Sequence, residues 1–229
     1  MHPASILTER GFVVLERVIS PVKLARLAKP YDDAVAGAHP DDVKVGSATT
    51  RVNDFVNRGP DFDPVYVVPA LIDACRHVIG TDFRLSSYHA RTLHPRSSAD
   101  EWHVDVARGS NDCPLVGFIL MVDAFTTDNG ATRFVPGTHQ WRKTPNDSMQ
   151  DLTADYDGQE LALSPAGSLL IFNGSTWHGH TANRTDRPRR SLQGAFIPAT
   201  GNVATDFKAR MSADTRKRLG PAAQTVLGL

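Results

Sequence analysis

The sequence predicts a mainly β fold, a sandwich or jelly roll, with helices on either side of the strands. From residue 83 onward, short β-rich runs alternate with turn residues, whereas three stretches before residue 80 have helical character. Many short strands separated by regular turns are typical of sandwiches and jelly rolls. A chain of 229 residues fits one domain, with a helical part at about 1–80, a barrel at about 81–200 and a helical tail.

The helical part is predicted from capping and chain-breaking residues. Ser20 followed by Pro21 marks a helix start, because serine caps the first turn and proline suits its first position. The stretch 38–64 is rich in Gly, Pro, Asp and Asn, and we interpret it as a long loop. Loops of this length often serve as lids or binding loops. The candidate elements are helices at 5–10, from 20 onward and at 69–79, and a strand at 12–15.

The β-rich part is divided by turn signals such as Asn129-Gly130, Pro136-Gly137 and Asn173-Gly174. The candidate strands are 83–93, 115–124, 133–135, 160–163, 168–172, 176–182 and 190–197. The tail at 206–219 has scattered charge and weak periodicity, which favours a surface helix.

Composition restricts the class of protein. The formal net charge is +0 and the pI is about 7.1, which argues against nucleic-acid and membrane-surface partners. Cys75 and Cys113 lie far apart and form no CxxC motif, so we expect no disulfide and a reduced, cytoplasmic setting. The apolar run 115–122 is too short to cross a bilayer, and residues 1–11 do not resemble a signal peptide.

The pair His103 and Asp105 is the first sign of a metal site. On an extended backbone, residues two apart point to the same side, so this imidazole and carboxylate can bind one ion together. A third ligand must come from a distant strand, where spacing alone allows either His178 or His180. Two histidines and one carboxylate leave coordination positions open on Fe(II) for a co-substrate and O₂.

Arginines follow the second histidine pair by about one hairpin. A 2-oxoglutarate molecule carries a distal carboxylate, and an arginine fork binds carboxylates bidentately and stays charged when buried. Arg189 and Arg190 are neighbours on a candidate strand, so only one of them can face inward. Arg187 and the outward member of the pair are then solvated surface residues.

Together these segments resemble the phytanoyl-CoA dioxygenase family of Fe(II)- and 2-oxoglutarate-dependent oxygenases, over roughly residues 12–197. The resemblance implies a double-stranded β-helix, that is, a cupin-like jelly-roll barrel with helices packed on one side. The segments that carry it are Trp102-His103-Val104-Asp105, Asn129-Gly130 through Pro136-Gly137-Thr138-His139, and His178-Gly179-His180 through Arg187-Pro188-Arg189-Arg190.

The resemblance also assigns roles to residues. It implies that His103, Asp105 and His178 ligate the iron, and that Arg189, eleven positions after the distal histidine, binds the 2-oxoglutarate carboxylate. It further implies that Thr92 lies near 2-oxoglutarate.

Other residues are candidates for contact with the bound molecules. His180 stands where the family often has a small hydroxyl residue, and we expect it to contact 2-oxoglutarate instead. Tyr88, on the same strand face as Thr92, is a candidate substrate contact, as are His94 near the strand end and Arg51 in the presumed loop.

The sequence therefore predicts an iron enzyme that uses Fe(II), 2-oxoglutarate and O₂, and releases succinate and CO₂. Because Asp105 is present and related halogenases lack this carboxylate, the resemblance favours hydroxylation or another oxidation of a small metabolite, for example in secondary metabolism, over halogenation. Two alternatives stay open: a cupin-like metalloenzyme that does not use 2-oxoglutarate, and a non-catalytic ligand-binding barrel. The sequence does not indicate an oligomeric state.

Overall fold

The computed structural model describes residues 3–109 and 114–229 of the chain. The helices are α1 (Pro3–Arg10), α2 (Pro21–Ala36), α3 (Pro69–Ile79), α4 (Phe207–Arg210), α5 (Ala213–Arg218) and α6 (Pro221–Leu227). The strands are β1 (Phe12–Leu15), β2 (Val43–Val45), β3 (Thr49–Val52), β4 (Phe83–Leu93), β5 (Val116–Met121), β6 (Thr132–Phe134), β7 (Glu160–Leu161), β8 (Leu169–Asn173), β9 (His178–His180) and β10 (Arg189–Pro198).

The strands form two antiparallel sheets. The larger sheet has the order β1-β8-β5-β10-β4-β3-β2, and the smaller has the order β7-β6-β9. Residues from both sheets line a common cavity of about 290 Å³. The predicted mainly β fold with helices before and after the strands is confirmed.

Both faces of the central strand β5 are buried. On β5, Phe118 and Leu120 belong to the large apolar core that also contains helix residues, whereas Ile119 and Met121 belong to a second cluster. Successive side chains of a strand point to opposite faces, so one strand serves both clusters. The odd-numbered β5 positions therefore face the cavity side and the even-numbered positions face the helices.

The stretch 38–64 is not the long loop that its composition indicated. It contains the hairpin β2–β3 and short 3₁₀ turns, and β3 pairs with β4 in the register Arg51↔Arg91. The pairing partner lies some forty residues further along the chain, and local composition carries no sign of it. The hairpin extends the large sheet beyond β4 and brings Arg51 to the cavity.

The tail also differs from the expected single helix at 206–219. It consists of α4, α5 and the additional helix α6, and ion pairs fasten it to the segments that precede β2 and follow β3. Arg210 donates to Asp54 at 3.0 Å and to Asp42 at 2.6 Å, and Arg218 donates to Asp63 at 3.0 Å. The end of the chain therefore stabilises the region around the β2–β3 hairpin.

Two further expectations concern the cysteines and the membrane. Cys75 is buried and not disulfide-bonded, while Cys113 lies outside the described residues. Within 3–109 and 114–229, none of the helices has both the length and the hydropathy that crossing a membrane requires.

Gly117 on β5 is required by the packing of Phe172. A Cβ atom at position 117 would overlap the Phe172 ring, which is itself held between Phe134 and His178, at ring-centroid distances of 5.6 and 4.8 Å. We expect Gly117→Ala to lower the free energy of unfolding by about 1–3 kcal/mol, the usual cost of overpacking a core. Urea unfolding measures the change.

The matched control is Gly46→Ala, where the new Cβ atom meets nothing closer than 3.5 Å. A Gly117 variant as stable as the Gly46 variant would show that Phe172 has room to move. Because the displaced ring would press on His178, we also expect weaker metal binding by Gly117→Ala.

Candidate metal centre

Three of the predicted site residues lie together at one end of the cavity. His103, Asp105 and His178 each offer a ligand atom, and these atoms all lie within 4.8 Å of one another. The His178 Nε2 atom is 3.8 Å from the Asp105 carboxylate. Two imidazoles and one carboxylate on one side of an ion form the ligand set of non-haem Fe(II) oxygenases.

Backbone pairing brings the two histidines together. The amide of His103 donates to the carbonyl of His178, and the amide of His178 donates back, both at 2.9 Å. The amide of Asp105 donates to the carbonyl of Gly174 at 2.8 Å. The segment 103–105 is thus held against the chain leading into β9, and its side chains are positioned by main-chain hydrogen bonds.

The hydrogen bonds of the two imidazoles define which nitrogen is free. The Nδ1 atom of His103 lies 2.9 Å from the carbonyl of Glu101, and the Nδ1 atom of His178 lies 2.8 Å from the carbonyl of Thr176. A carbonyl oxygen only accepts, so each Nδ1 atom carries the proton. Each Nε2 atom therefore keeps a lone pair for a metal, the arrangement usual for ligating histidines.

The surroundings of His178 keep it neutral. Its ring packs against Phe134 and Phe172, and burial holds the pKa of the imidazole well below its ordinary value, although Asp105 opposes this. A neutral imidazole is the form that binds a metal. The aromatic rings also shield this side of the site from water.

His180, the alternative ligand, faces a different carboxylate. Its Nε2 atom lies 3.7 Å from Asp100, and its Nδ1 atom lies 2.9 Å from the carbonyl of Thr181. The Asp100 carboxylate in turn lies 3.3 Å from Arg91. His180 lines the cavity beside the candidate centre without joining the cluster of three ligand atoms.

Arg189 lies deep in the same cavity. Its side chain is 2% exposed, and its Nε and Nη1 atoms are buried without a hydrogen-bond partner. The guanidinium stacks on Phe125 at 4.0 Å from the ring centroid, and burial lowers its pKa to about 9. A buried cation with free donors is costly unless an anion completes it, so this position suits a carboxylate ligand.

Arg190 points to the opposite face of β10. It donates to Asp123 and to Asp32, each at 2.8 Å, and these hydrogen bonds raise the pKa of its guanidinium. Strand alternation thus separates the two arginines, as expected, and of this pair Arg189 alone lines the cavity.

Three other predicted contacts lie away from the cavity lining. The hydroxyl of Thr92 bonds the hydroxyl of Tyr31 on α2 at 3.0 Å, and the hydroxyl of Tyr88 donates to the carbonyl of Phe62 within the apolar core. His94 bonds Thr50 at 2.8 Å at the end of the strand pair. The face of β4 that carries Tyr88 and Thr92 was expected to be directed at the site, but it is directed away from the cavity.

The face of β4 that lines the cavity carries the odd-numbered residues Ser87, His89 and Arg91. Both faces of this strand are buried, so its hydrophobic pattern could not indicate which one faces the site. Of the proposed substrate contacts, Arg51 is the one that lines the cavity.

Several cavity residues were not identified from the sequence. Arg91 and His89 follow from strand alternation once the orientation of β4 is known, and Gln193 follows from its register opposite His89. Asp100 lies in an irregular segment three residues before His103, where no periodic pattern indicates its position.

The chain is similar in sequence to known dioxygenases. The model of the phytanoyl-CoA dioxygenase family matches residues 7–191. The chain is 27% identical to dioxygenase aneA of Aspergillus aculeatus, over 97% of this chain and 80% of that protein. It is 26% identical to multifunctional dioxygenase prhA of Penicillium brasilianum, over 96% of this chain and 79% of that protein.

Solved structures share the fold. The epimerase SnoN, in complex with Fe³⁺, alpha-ketoglutarate and nogalamycin RO, superposes with a TM-score of 0.68 at 19% identity, covering 86% of this chain and 83% of SnoN. EctD from S. alaskensis in its apoform gives a TM-score of 0.70 at 16% identity, covering 87% and 77%. These similarities confirm the predicted jelly-roll architecture.

Proposed function

Because the chain belongs to the phytanoyl-CoA dioxygenase family, we propose that it uses His103, Asp105 and His178 to hold the iron with which it oxidises a small-molecule metabolite. The protein is an Fe(II)- and 2-oxoglutarate-dependent dioxygenase, and hydroxylation is the proposed outcome. Its dioxygenase relatives in fungi, and the nogalamycin RO bound to SnoN, support a natural product or a related small molecule as substrate.

The observation that carries the proposal is the combination of this ligand set with Arg189. Three ligand atoms lie within 4.8 Å of one another, and a buried guanidinium with two unpartnered nitrogens lines the same cavity. The donor set fits Fe(II), and the guanidinium fits the distal carboxylate of 2-oxoglutarate. Neither a structural zinc site nor a non-catalytic barrel requires a buried, unpartnered guanidinium beside the metal ligands.

The chain's own residues would position and protect the reactants. When bound, iron with 2-oxoglutarate and O₂ supplies the oxidising chemistry, in which 2-oxoglutarate is converted to succinate and CO₂. His103 and His178 present their Nε2 atoms because backbone carbonyls fix their Nδ1 protons. Arg189 would anchor the far end of the co-substrate, and Phe172 beside His178 excludes water.

Anaerobic titration with Fe(II) and then 2-oxoglutarate tests the proposal. We expect the visible charge-transfer band of the 2-oxoglutarate–iron chelate to appear in the wild type. His178→Ala should lose the band because it removes a ligand, whereas the matched variant His180→Ala keeps all three ligands and should retain the band at saturating 2-oxoglutarate. Iron binding without a band in the wild type would favour the metalloenzyme that does not use 2-oxoglutarate. A band that is lost in His180→Ala but retained in His178→Ala would make His180 the iron ligand in place of His178.

A further inference from the structure

A row of cations crosses the edge of the large sheet next to the candidate metal centre. Arg91 on β4, Arg51 on β3 and Lys44 on β2 stand directly opposite one another in register. Like charges at paired positions destabilise a sheet. Arg51 and Arg91 line the cavity, whereas Lys44 is exposed outside it, so the row brings positive charge towards the site at a cost to stability.

Within the row, Arg51 lacks an acidic partner. Arg91 lies 3.3 Å from the Asp100 carboxylate, but the Nε atom of Arg51 donates to the neutral amide oxygen of Asn53 at 2.9 Å. Among the residues that the structure describes, no carboxylate lies within ion-pair distance of Arg51. Burial, with a further contribution from Arg91, lowers the pKa of its guanidinium, although the more distant carboxylate of Asp105, a proposed iron ligand, opposes this.

A second unpartnered group lies beside Arg51. His89, two residues before Arg91 on the same face of β4, is 7% exposed, and its buried Nδ1 atom has no hydrogen-bond partner. Burial and the neighbouring arginines hold its pKa well below the ordinary value, so the ring is neutral and offers one N–H donor. A cation and a neutral donor facing one cavity form a site for an anion.

The co-substrate leaves this site unfilled. Under the proposed function, Arg189 pairs with the distal carboxylate of 2-oxoglutarate, and the iron is balanced by Asp105 and the carboxylate of the keto-acid end. Arg91 is balanced by Asp100. Arg51 then carries the remaining positive charge of the cavity lining.

We propose that Arg51, assisted by His89, binds a carboxylate of the substrate, so that the enzyme acts on a small organic acid. This inference rests on the proposed function. It specifies the substrate class: a compound with one carboxylate directed at the β3–β4 edge and its oxidised carbon directed at the metal centre.

Matched pairs of acids and amides test this inference. The protein, loaded anaerobically with Fe(II) and 2-oxoglutarate, is titrated calorimetrically with benzoate, cyclohexanecarboxylate, hexanoate and 3-phenylpropionate, each compared with its primary amide. We expect at least one acid to bind about tenfold or more tightly than its amide, the effect of a charge-assisted hydrogen bond. Arg51→Gln should abolish this preference, and Arg51→Lys should retain part of it.

Lys44→Gln is the electrostatic control, because it removes the neighbouring cation that lies outside the cavity. We expect it to change the acid preference by less than about twofold, as usual for an exposed charge. Circular dichroism of each variant verifies the fold. An equal loss of preference in Lys44→Gln would overturn the inference, because it would show that the general positive potential of this region selects acids. The inference would also be overturned by an acid preference that is absent in the wild type or retained in Arg51→Gln.

The chelate band separates this inference from the proposed function. If the band forms normally in Arg51→Gln and only the acid preference is lost, both stand. If Arg51→Gln instead weakens 2-oxoglutarate binding and leaves the preference intact, Arg51 serves the co-substrate and the substrate class is wrong. If the wild type forms no band, the proposed function fails, and the same titrations on metal-free protein still decide whether Arg51 selects acids.

Discussion

Asp105→Ala is expected to reduce 2-oxoglutarate turnover by more than about a hundredfold, since altering even the groups that support a metal ligand costs 10–100-fold. Asp105 supplies the carboxylate of the proposed ligand set, and its amide is fixed to the carbonyl of Gly174. Without it, two neutral imidazoles are the protein ligands that remain, and one of the two carboxylates that balance the charge of the ion is lost. Succinate release measures turnover, and Fe(II) titration measures metal affinity.

Glu101→Ala is the matched control for this experiment. Glu101 is an exposed carboxylate in the same segment, and its contact with His103 is through the backbone carbonyl, which the substitution leaves in place. We expect its turnover to stay close to that of the wild type. Full activity in Asp105→Ala would sink the metal assignment, while an equal loss in both variants would point to disturbance of the segment.

The second large effect is expected at Arg189. Replacing it with Met removes the buried guanidinium that we propose for the distal carboxylate, and breaking such a buried ion pair costs about 3–5 kcal/mol. The concentration of 2-oxoglutarate required for half-maximal turnover should therefore rise by at least about a hundredfold. Steady-state succinate release at varied 2-oxoglutarate measures this change.

The same substitution is expected to stabilise the protein when 2-oxoglutarate is absent. Arg189 is 2% exposed with two unpartnered nitrogens, and an apolar side chain of similar size relieves that uncompensated charge. Thermal unfolding without co-substrate should show a higher midpoint for Arg189→Met than for the wild type. A lower midpoint would mean that the guanidinium contributes to the fold itself.

Arg190→Met is the neighbouring control. It breaks the hydrogen bonds to Asp123 and Asp32 on the helix side of β10, so we expect lower stability, by about 1 kcal/mol, and an unchanged requirement for 2-oxoglutarate. The reverse pattern, with the co-substrate requirement raised in Arg190→Met, would transfer the carboxylate site to that residue.

The part of the site that sequence predicts best is the part governed by local geometry. The two-residue spacing of His103 and Asp105 on extended backbone places both side chains on one face, and alternation on β10 allows only one of Arg189 and Arg190 to face inward. Choosing His178 over His180 required the family resemblance, because the two share a strand face. In the structure the choice corresponds to different neighbours, Asp105 for one and Asp100 for the other.

The part that failed depends on contacts between distant segments. The orientation of β4 could not be inferred because one face packs on the apolar core and the other lines the cavity, so both faces are buried. The positions of Tyr88 and Thr92 therefore did not indicate which face is directed at the site. The β2–β3 hairpin was missed because its strands are short, it pairs with the distant strand β4, and Arg210 in the tail binds the residues on either side of it. Such elements are stabilised by tertiary contacts that override local propensity.

The β2–β3 hairpin also places the proposed substrate contact on a different part of the sheet from the proposed iron ligands. The proposed iron ligands and Arg189 lie on segments whose backbones are paired within the barrel, whereas Arg51 lies on a hairpin at the border of the large sheet. A border hairpin can change length or sequence while the strands behind it keep their hydrogen bonds. Changes in this hairpin can therefore alter the proposed substrate contact while the proposed iron ligands and Arg189 stay in place.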